Sequence, residues 1–141
     1  MASDLSSKPM TTQQYKALAD FRYELRRFLR YSEDLTRRHG VTPLQYQLLL
    51  QVKGYPDREH ATVGELAERL QAKHHGAVAL VSRCEDAALV TRRVSDQDRR
   101  AVVVKLTQKG ERLLERLARL HRNELVAVQR RVLFPDLQSL E

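Results

Sequence analysis

Apolar positions fall into four helix-like patterns, then two strand-like runs, then a fifth helix. From Leu18, the residues Phe21, Leu25, Phe28, Leu29, Ser32 and Leu35 recur at three- and four-residue steps. That spacing predicts one long helix with a mostly apolar stripe. Arg22, Arg26, Arg27, Arg30, Arg37 and Arg38 occupy much of the rest as a solvated face, and Gly40 marks the C-terminal stop. Thr42-Pro43 opens a second helix, because threonine can cap it and proline lacks only an N–H that would be unpaired there. Leu44, Leu48, Leu49 and Val52 form its expected buried side, and the Gly54-Tyr55-Pro56-Asp57 break starts a polar loop over residues 54–60.

Thr62, with Glu65 three residues later, is a capping-box pattern for a short third helix carrying Val63, Leu66, Ala67 and Leu70. Gln71-Ala72-Lys73 is the turn, and the fourth helix runs from His74 to about Ala87. Spacing sends Ala77, Leu80, Val81, Cys84 and Ala88 inward and leaves His74, His75, Val78, Ala79, Ser82 and Arg83 outward. Residues 89–94 and 101–106 read as strands around the hydrophilic loop 95–100. Thr107 caps the last helix, whose apolar set is Leu113, Leu114, Leu117, Leu120, Leu125, Val128, Val132 and Leu133, with Pro135 ending its main section. Gly110, in its first turn, costs helix stability.

The fold class that follows is mainly α with a small β-wing: a winged helix-turn-helix lobe over residues 62–107, flanked by helices over 11–39 and 108–141. Residues 1–10 read as a flexible N-terminal tail, and 11–141 as a single domain.

Composition sharpens this picture. At 141 residues and 42% apolar, the chain can bury a core and is not a disordered segment. Lys and Arg number 25 against 18 Asp and Glu, a net charge of +7, which favours a polyanionic partner. The lone cysteine, Cys84, has no intrachain partner and reads as core packing. No stretch approaches the roughly 18 apolar residues that span a bilayer, and the N-terminus has no signal-peptide pattern, so the expectation is a cytoplasmic protein without a membrane partner. There is no nucleophile elbow, phosphate-binding glycine loop or Cys-x-x-Cys, and His74 and His75 are adjacent rather than four apart. The reading is therefore not an enzyme, with no metal and no cofactor.

The fourth helix has what a recognition helix needs: one side that packs, and an N-terminal part that offers side chains to base edges. Its candidate DNA-binding residues are Lys73, His74, His75, Gly76, Val78, Ala79 and Arg83. The loop between the strands presents Arg99 and Arg100, suited to a narrow, electronegative minor groove. Asp98 would be costly beside phosphate unless paired, so it is expected to brace Arg92 or Arg93.

With those residues in view, the chain resembles the MarR family of bacterial winged-helix transcriptional regulators. Asp98-Arg99-Arg100, five further residues and then Leu106-Thr107 resemble the family's wing signature. Thr42-Pro43-Leu44-Gln45 and the run Thr62 to Leu70 resemble its helix before the lobe and its helix before the turn. The resemblance covers roughly residues 15–134. It implies a homodimer joined through the first and last helices and a palindromic double-stranded operator with half-sites roughly 34 Å apart. It also implies Arg100 as the minor-groove arginine, with Asp98 positioning the wing through Arg92. The usual function is repression, modulated by a small aromatic or phenolic effector, with Tyr15, Phe21, Tyr23, Phe28, Tyr31 and Tyr46 as candidate lining. Lys73-His74-His75-Gly76 lacks the hydroxyl common at this helix start, and Ala88 stands where glycine is common. The alternative is a winged helix used as a protein-interaction module without DNA.

Overall fold

The structure is a computed structural model and describes residues 8–131. Its elements are α1 (Thr12–Arg38), α2 (Pro43–Lys53), β1 (Ala61–Thr62), α3 (Val63–Arg69), α4 (His74–Asp86), β2 (Val90–Val94), β3 (Val102–Leu106) and α5 (Gln108–Arg131). The fold is mainly helical with a small three-stranded antiparallel sheet of order β1-β3-β2. The expected tail lies outside the described residues except for 8–10, which precede α1; Val132, Leu133 and Pro135 also lie outside them.

Helix starts follow the local chemistry. Thr42 Oγ1 accepts from Gln45 N at 3.1 Å while Gln45 Oε1 accepts from Thr42 N at 2.9 Å, and Thr62 with Glu65 repeats this reciprocal box at 3.2 and 2.9 Å. Thr107 Oγ1 accepts from Gly110 N at 3.0 Å and donates to Ala88 O at 2.6 Å, so it caps α5 and ties it to the corner before β2. At α4 the N-cap is Lys73, with no side-chain cap bond.

Three helix ends share one device. Gly40, Gln71 and Ala88 have φ of 77°, 51° and 59°. The next N–H of each reaches back five residues, as in Val41 N to Thr36 O at 3.1 Å, Ala72 N to Ala67 O at 2.9 Å and Leu89 N to Cys84 O at 2.9 Å. This is the Schellman closure, usually built on glycine because Cβ disfavours the left-handed region. Of these three, only the α1 end has a glycine; at Ala88 the chain adopts the same turn with an alanine.

The chain divides into two compact units, one of residues 33–120 and one formed by the chain on either side of it. In the inner unit, Leu48, Leu49, Leu66, Val81, Leu89, Val104 and Leu117 are fully buried. The sheet closes against this core through Val90 paired with Leu106 and Ala61 paired with Val104. β1 was not expected from the sequence, since two residues carry no periodicity to read. Two further expectations are corrected. Leu44 is 52% exposed and Tyr46 is buried in its place, because Leu44 points roughly 110° from the mean direction of Tyr46, Leu48, Leu49 and Val52. Ala88 is exposed because the helix has already ended at Asp86.

In the outer unit, His121 is buried, with Nε2 2.8 Å from Ser32 Oγ and the Phe28 and Tyr31 rings edge-on to it at 6.0 Å. Leu18, Leu25 and Leu29 of the first apolar stripe are exposed on this chain, as is Leu125. Among the described residues, no helix is long and apolar enough to cross a membrane.

Candidate nucleic-acid interface

The inner unit presents one helix end and one hairpin beside each other. Ala77, Leu80, Val81 and Cys84 of α4 are buried, which fixes the helix's rotation. Lys73, His74, His75, Ala79 and Arg83 are then exposed, with Gly76 and Val78 half-buried. A Cβ on Gly76 would meet open space, so packing within the chain does not require glycine there.

β2 and β3 form the hairpin, in register from Val90 with Leu106 to Val94 with Val102. Its tip closes on itself. Ser95 N donates to Ala101 O and Ala101 N to Asp98 O, both at 2.9 Å, while Asp98 Oδ1 accepts from Arg100 N at 3.0 Å. Ser95 Oγ accepts from Gln97 N at 3.2 Å. Arg93, Arg99 and Arg100 are exposed and have no ion-pair partner among the described residues.

The expected Asp98–Arg92 brace is corrected. Arg92 instead pairs with Glu85, Nε to Oε1 at 3.2 Å, and donates from a terminal nitrogen to Ser82 Oγ at 3.1 Å. Asp98 spends its acceptor on the Arg100 backbone, so it holds the loop's shape rather than an upstream arginine. Sequence reasoning missed Glu85 as a participant. The available signal was spacing: Ser82 and Glu85 are three apart and share a helix face.

Between α4 and the hairpin lies a groove of about 480 Å³, lined by His74 and Val78 on one side and Arg92, Arg93, Asp98 and Arg100 on the other, with Thr62 and Gly64 at its end. The wing is anchored at its root. A Cβ on Gly110 would overlap the Leu89 carbonyl, so glycine is required where α5 crosses the start of β2. That packing need explains a glycine that otherwise only weakens a helix. Beneath α4, burial pushes the Cys84 thiol up to about 11, against a smaller opposing pull from Arg83, which leaves a poor nucleophile.

Of the six aromatic candidates, five belong to the outer unit and Tyr46 to the inner one. Tyr15 and Tyr23 are each 60% exposed, and Arg27 lies over the Tyr23 ring at 5.7 Å. Phe21 is half-buried, and Phe28 and Tyr31 flank His121. Tyr46 is buried in the inner unit, where desolvation raises its phenol pKa. A cavity of about 680 Å³ between Leu50, Lys53, Glu111 and Leu114 has none of the six in its lining.

An exposed helix end set beside a cationic hairpin, both on a small helical core, defines a winged helix-turn-helix lobe. Residues 39–101 match the family model described as the MarR family. That match falls on the winged-helix lobe, and within this chain it is the lobe that is similar to the family. Among curated proteins, the HTH-type transcriptional repressor MdtR of Bacillus subtilis is 31% identical over 74 residues, 52% of this chain and 46% of MdtR. The chain spans about half the length of the curated relatives it matches. Among solved structures, AbsC, a MarR family transcriptional regulator of Streptomyces coelicolor, aligns with a TM-score of 0.76 at 21% identity over 95% of this chain and 90% of that one. A mutant MarR of E. coli complexed with operator DNA aligns with a TM-score of 0.69 at 16% identity over 94% of each chain. At these identities the two structures speak for the fold.

Proposed function

We propose that this chain is a sequence-specific double-stranded-DNA-binding transcriptional regulator, acting as a dimeric repressor whose DNA affinity a small aromatic or phenolic ligand modulates. The observation that carries the reading is the pairing of an exposed α4 start (Lys73, His74, His75) with a hairpin tip whose Arg99 and Arg100 lack ion-pair partners among the described residues. Unneutralised arginines on a narrow hairpin suit a groove lined by phosphate, and a helix N-terminus suits base edges and phosphate together. In this reading α4 enters the major groove, Arg100 enters the minor groove, and Asp98 sets the loop from which Arg100 projects. The E. coli MarR solved with operator DNA and the repressor MdtR support the direction of the reading. Exposed Leu18, Leu25, Leu29 and Leu125 support a second copy covering the outer unit. For the ligand, Phe28 and Tyr31 beside His121 offer the aromatic lining.

A gel shift with a duplex selected from a random pool tests this. The expected result is specific binding that weakens steeply with salt. Arg100→Ala should weaken it roughly tenfold and lower the salt slope by about one. Binding unaffected by Arg100→Ala would remove the wing from the interface. Absence of any selected duplex would favour the protein-interaction alternative.

A further inference from the structure

Arg92 sits on the DNA-facing groove, yet both of its polar contacts run to α4. Its Nε lies 3.2 Å from Glu85 Oε1, and a terminal nitrogen donates to Ser82 Oγ at 3.1 Å. Ser82 and Glu85 lie one helical turn apart, so the planar guanidinium lies across the helix edge and meets both. On β2, Arg92 pairs in register with Val104, the middle position of a five-residue ladder. The strand is buried at Val90, and every residue from Thr91 to Val94 is exposed. Among the described residues, these two contacts are the only side-chain hydrogen bonds or ion pairs joining α4 to β2. The remaining wall of the groove has no such tie between His74 or Val78 and the hairpin.

We infer that Arg92 is a positioning residue: with Glu85 and Ser82 it forms a strut that fixes the distance between α4 and the wing, and it does not itself neutralise a phosphate. This inference rests on the DNA-binding reading above. An exposed pair such as this one, with each side chain over a third accessible, contributes little to overall stability. Its effect is local. A helix in the major groove and an arginine in the adjacent minor groove must meet one duplex together, so a hairpin free to swing loses the benefit of preorganisation. The strut holds the hairpin at mid-length and leaves the tip free to adapt.

The charge on Glu85 makes the inference testable, because the rival role predicts the opposite sign. If Arg92 contacts phosphate, Glu85 only detracts from the positive field, and Glu85→Gln tightens DNA binding. If Arg92 acts through Glu85, Glu85→Gln weakens it. The experiment is a double-mutant cycle with Glu85→Gln and Arg92→Ala in the full chain, using the duplex selected by the unmodified protein. The expected result is roughly five- to tenfold weaker binding for each single variant, a double variant no weaker than Arg92→Ala alone, and salt slopes equal to that of the unmodified protein. Additive losses, tighter binding by Glu85→Gln, or a slope reduced by about one in Arg92→Ala would each overturn it.

A DNA-independent measurement separates failure of the strut from failure of the DNA reading. Amide hydrogen exchange over residues 93–102 should quicken several-fold in both single variants, while α3 and the centre of α4 keep their protection. Unchanged exchange over the hairpin would overturn the strut whatever the protein binds. Arg92→Lys, which keeps the charge but loses the planar fork, should behave like Arg92→Ala; full retention of DNA affinity by Arg92→Lys would return Arg92 to the role of a point charge on phosphate.

Discussion

Residues 54–60 and residues 95–100 are both polar loops that run into the same sheet, and their arginines fare differently. In the first, Arg58 grips the Glu65 carboxylate with both terminal nitrogens and stacks over the Tyr55 ring at 4.5 Å. Glu65 also accepts from Thr62 N at 2.9 Å. Burial works to raise the Glu65 pKa, but hydrogen bonds from Thr62, Tyr55 and Arg58 outweigh it and hold the carboxyl down at about 2. In the second loop, Asp98 accepts from a backbone N–H, and Arg99 and Arg100 pair with no carboxylate among the described residues. One loop spends its charges on fixing the start of α3. The other keeps them available at a tip held only by short-range turns. The same residue types serve rigidity in one place and a surface in the other, according to whether the carboxylate faces a side chain or the backbone.

If that contrast is right, stability and DNA affinity should respond in opposite order across the two regions. The largest stability effect belongs to the wing's root. Gly110→Ala forces a Cβ into the Leu89 carbonyl and should cost about 3 kcal/mol or more in urea denaturation, because backbone has to move. A cost under about 1 kcal/mol would show that the root yields as easily as the tip.

Glu65→Gln should come next, at about 1–2 kcal/mol near neutral pH, since it weakens a cap and removes an ion pair. The folded-state pKa of about 2 lies below the ordinary 4.5, so the stabilisation is fully present above about pH 4.5 and is lost as pH falls through 2. Denaturation curves of the two proteins should therefore converge between pH 4.5 and 2. A gap that stays constant over that range would mean the charge is not what Glu65 contributes.

The smallest stability effect is expected for Asp98→Ala, within about 0.5 kcal/mol by thermal melting, because its bond lies in an exposed turn. The same substitution should weaken binding to the selected duplex severalfold by letting Arg100 wander. A large melting shift with unchanged DNA affinity would reverse the contrast between the loops.

Much of this arrangement is legible in the sequence because it rests on local chemistry. Thr62 with Glu65 announces a reciprocal cap, the 74–87 spacing separates a packed side from an open one, and the two β-like runs bracket a polar turn. What stayed hidden depends on partners far along the chain or on backbone turns. β1 exists only because Ala61 and Thr62 lie beside Val104 and Val103. The pattern left Asp98 to brace Arg92 or Arg93 and did not bring in Glu85, since the true partner of Arg92 depends on where the α4 face points. The Gly110 requirement is invisible without the Leu89 carbonyl above it. Gln71-Ala72-Lys73 reads as a turn, but the left-handed φ at Gln71 and Ala88 has no glycine to announce it.

The strand order has a consequence for behaviour in solution. With β3 in the middle, the sheet has two outer edges, the two-residue β1 and the five-residue β2. An open edge offers unpaired N–H and C=O groups as a template for another molecule's strand. β1 is too short to serve as one. β2 carries Arg92 and Arg93 at its centre, so a second β2 laid against it would bring guanidinium groups face to face and strip them of water. The cationic edge is therefore also a guard against strand-by-strand aggregation, and replacing both arginines with β-branched apolar residues would trade solubility for a sticky seam.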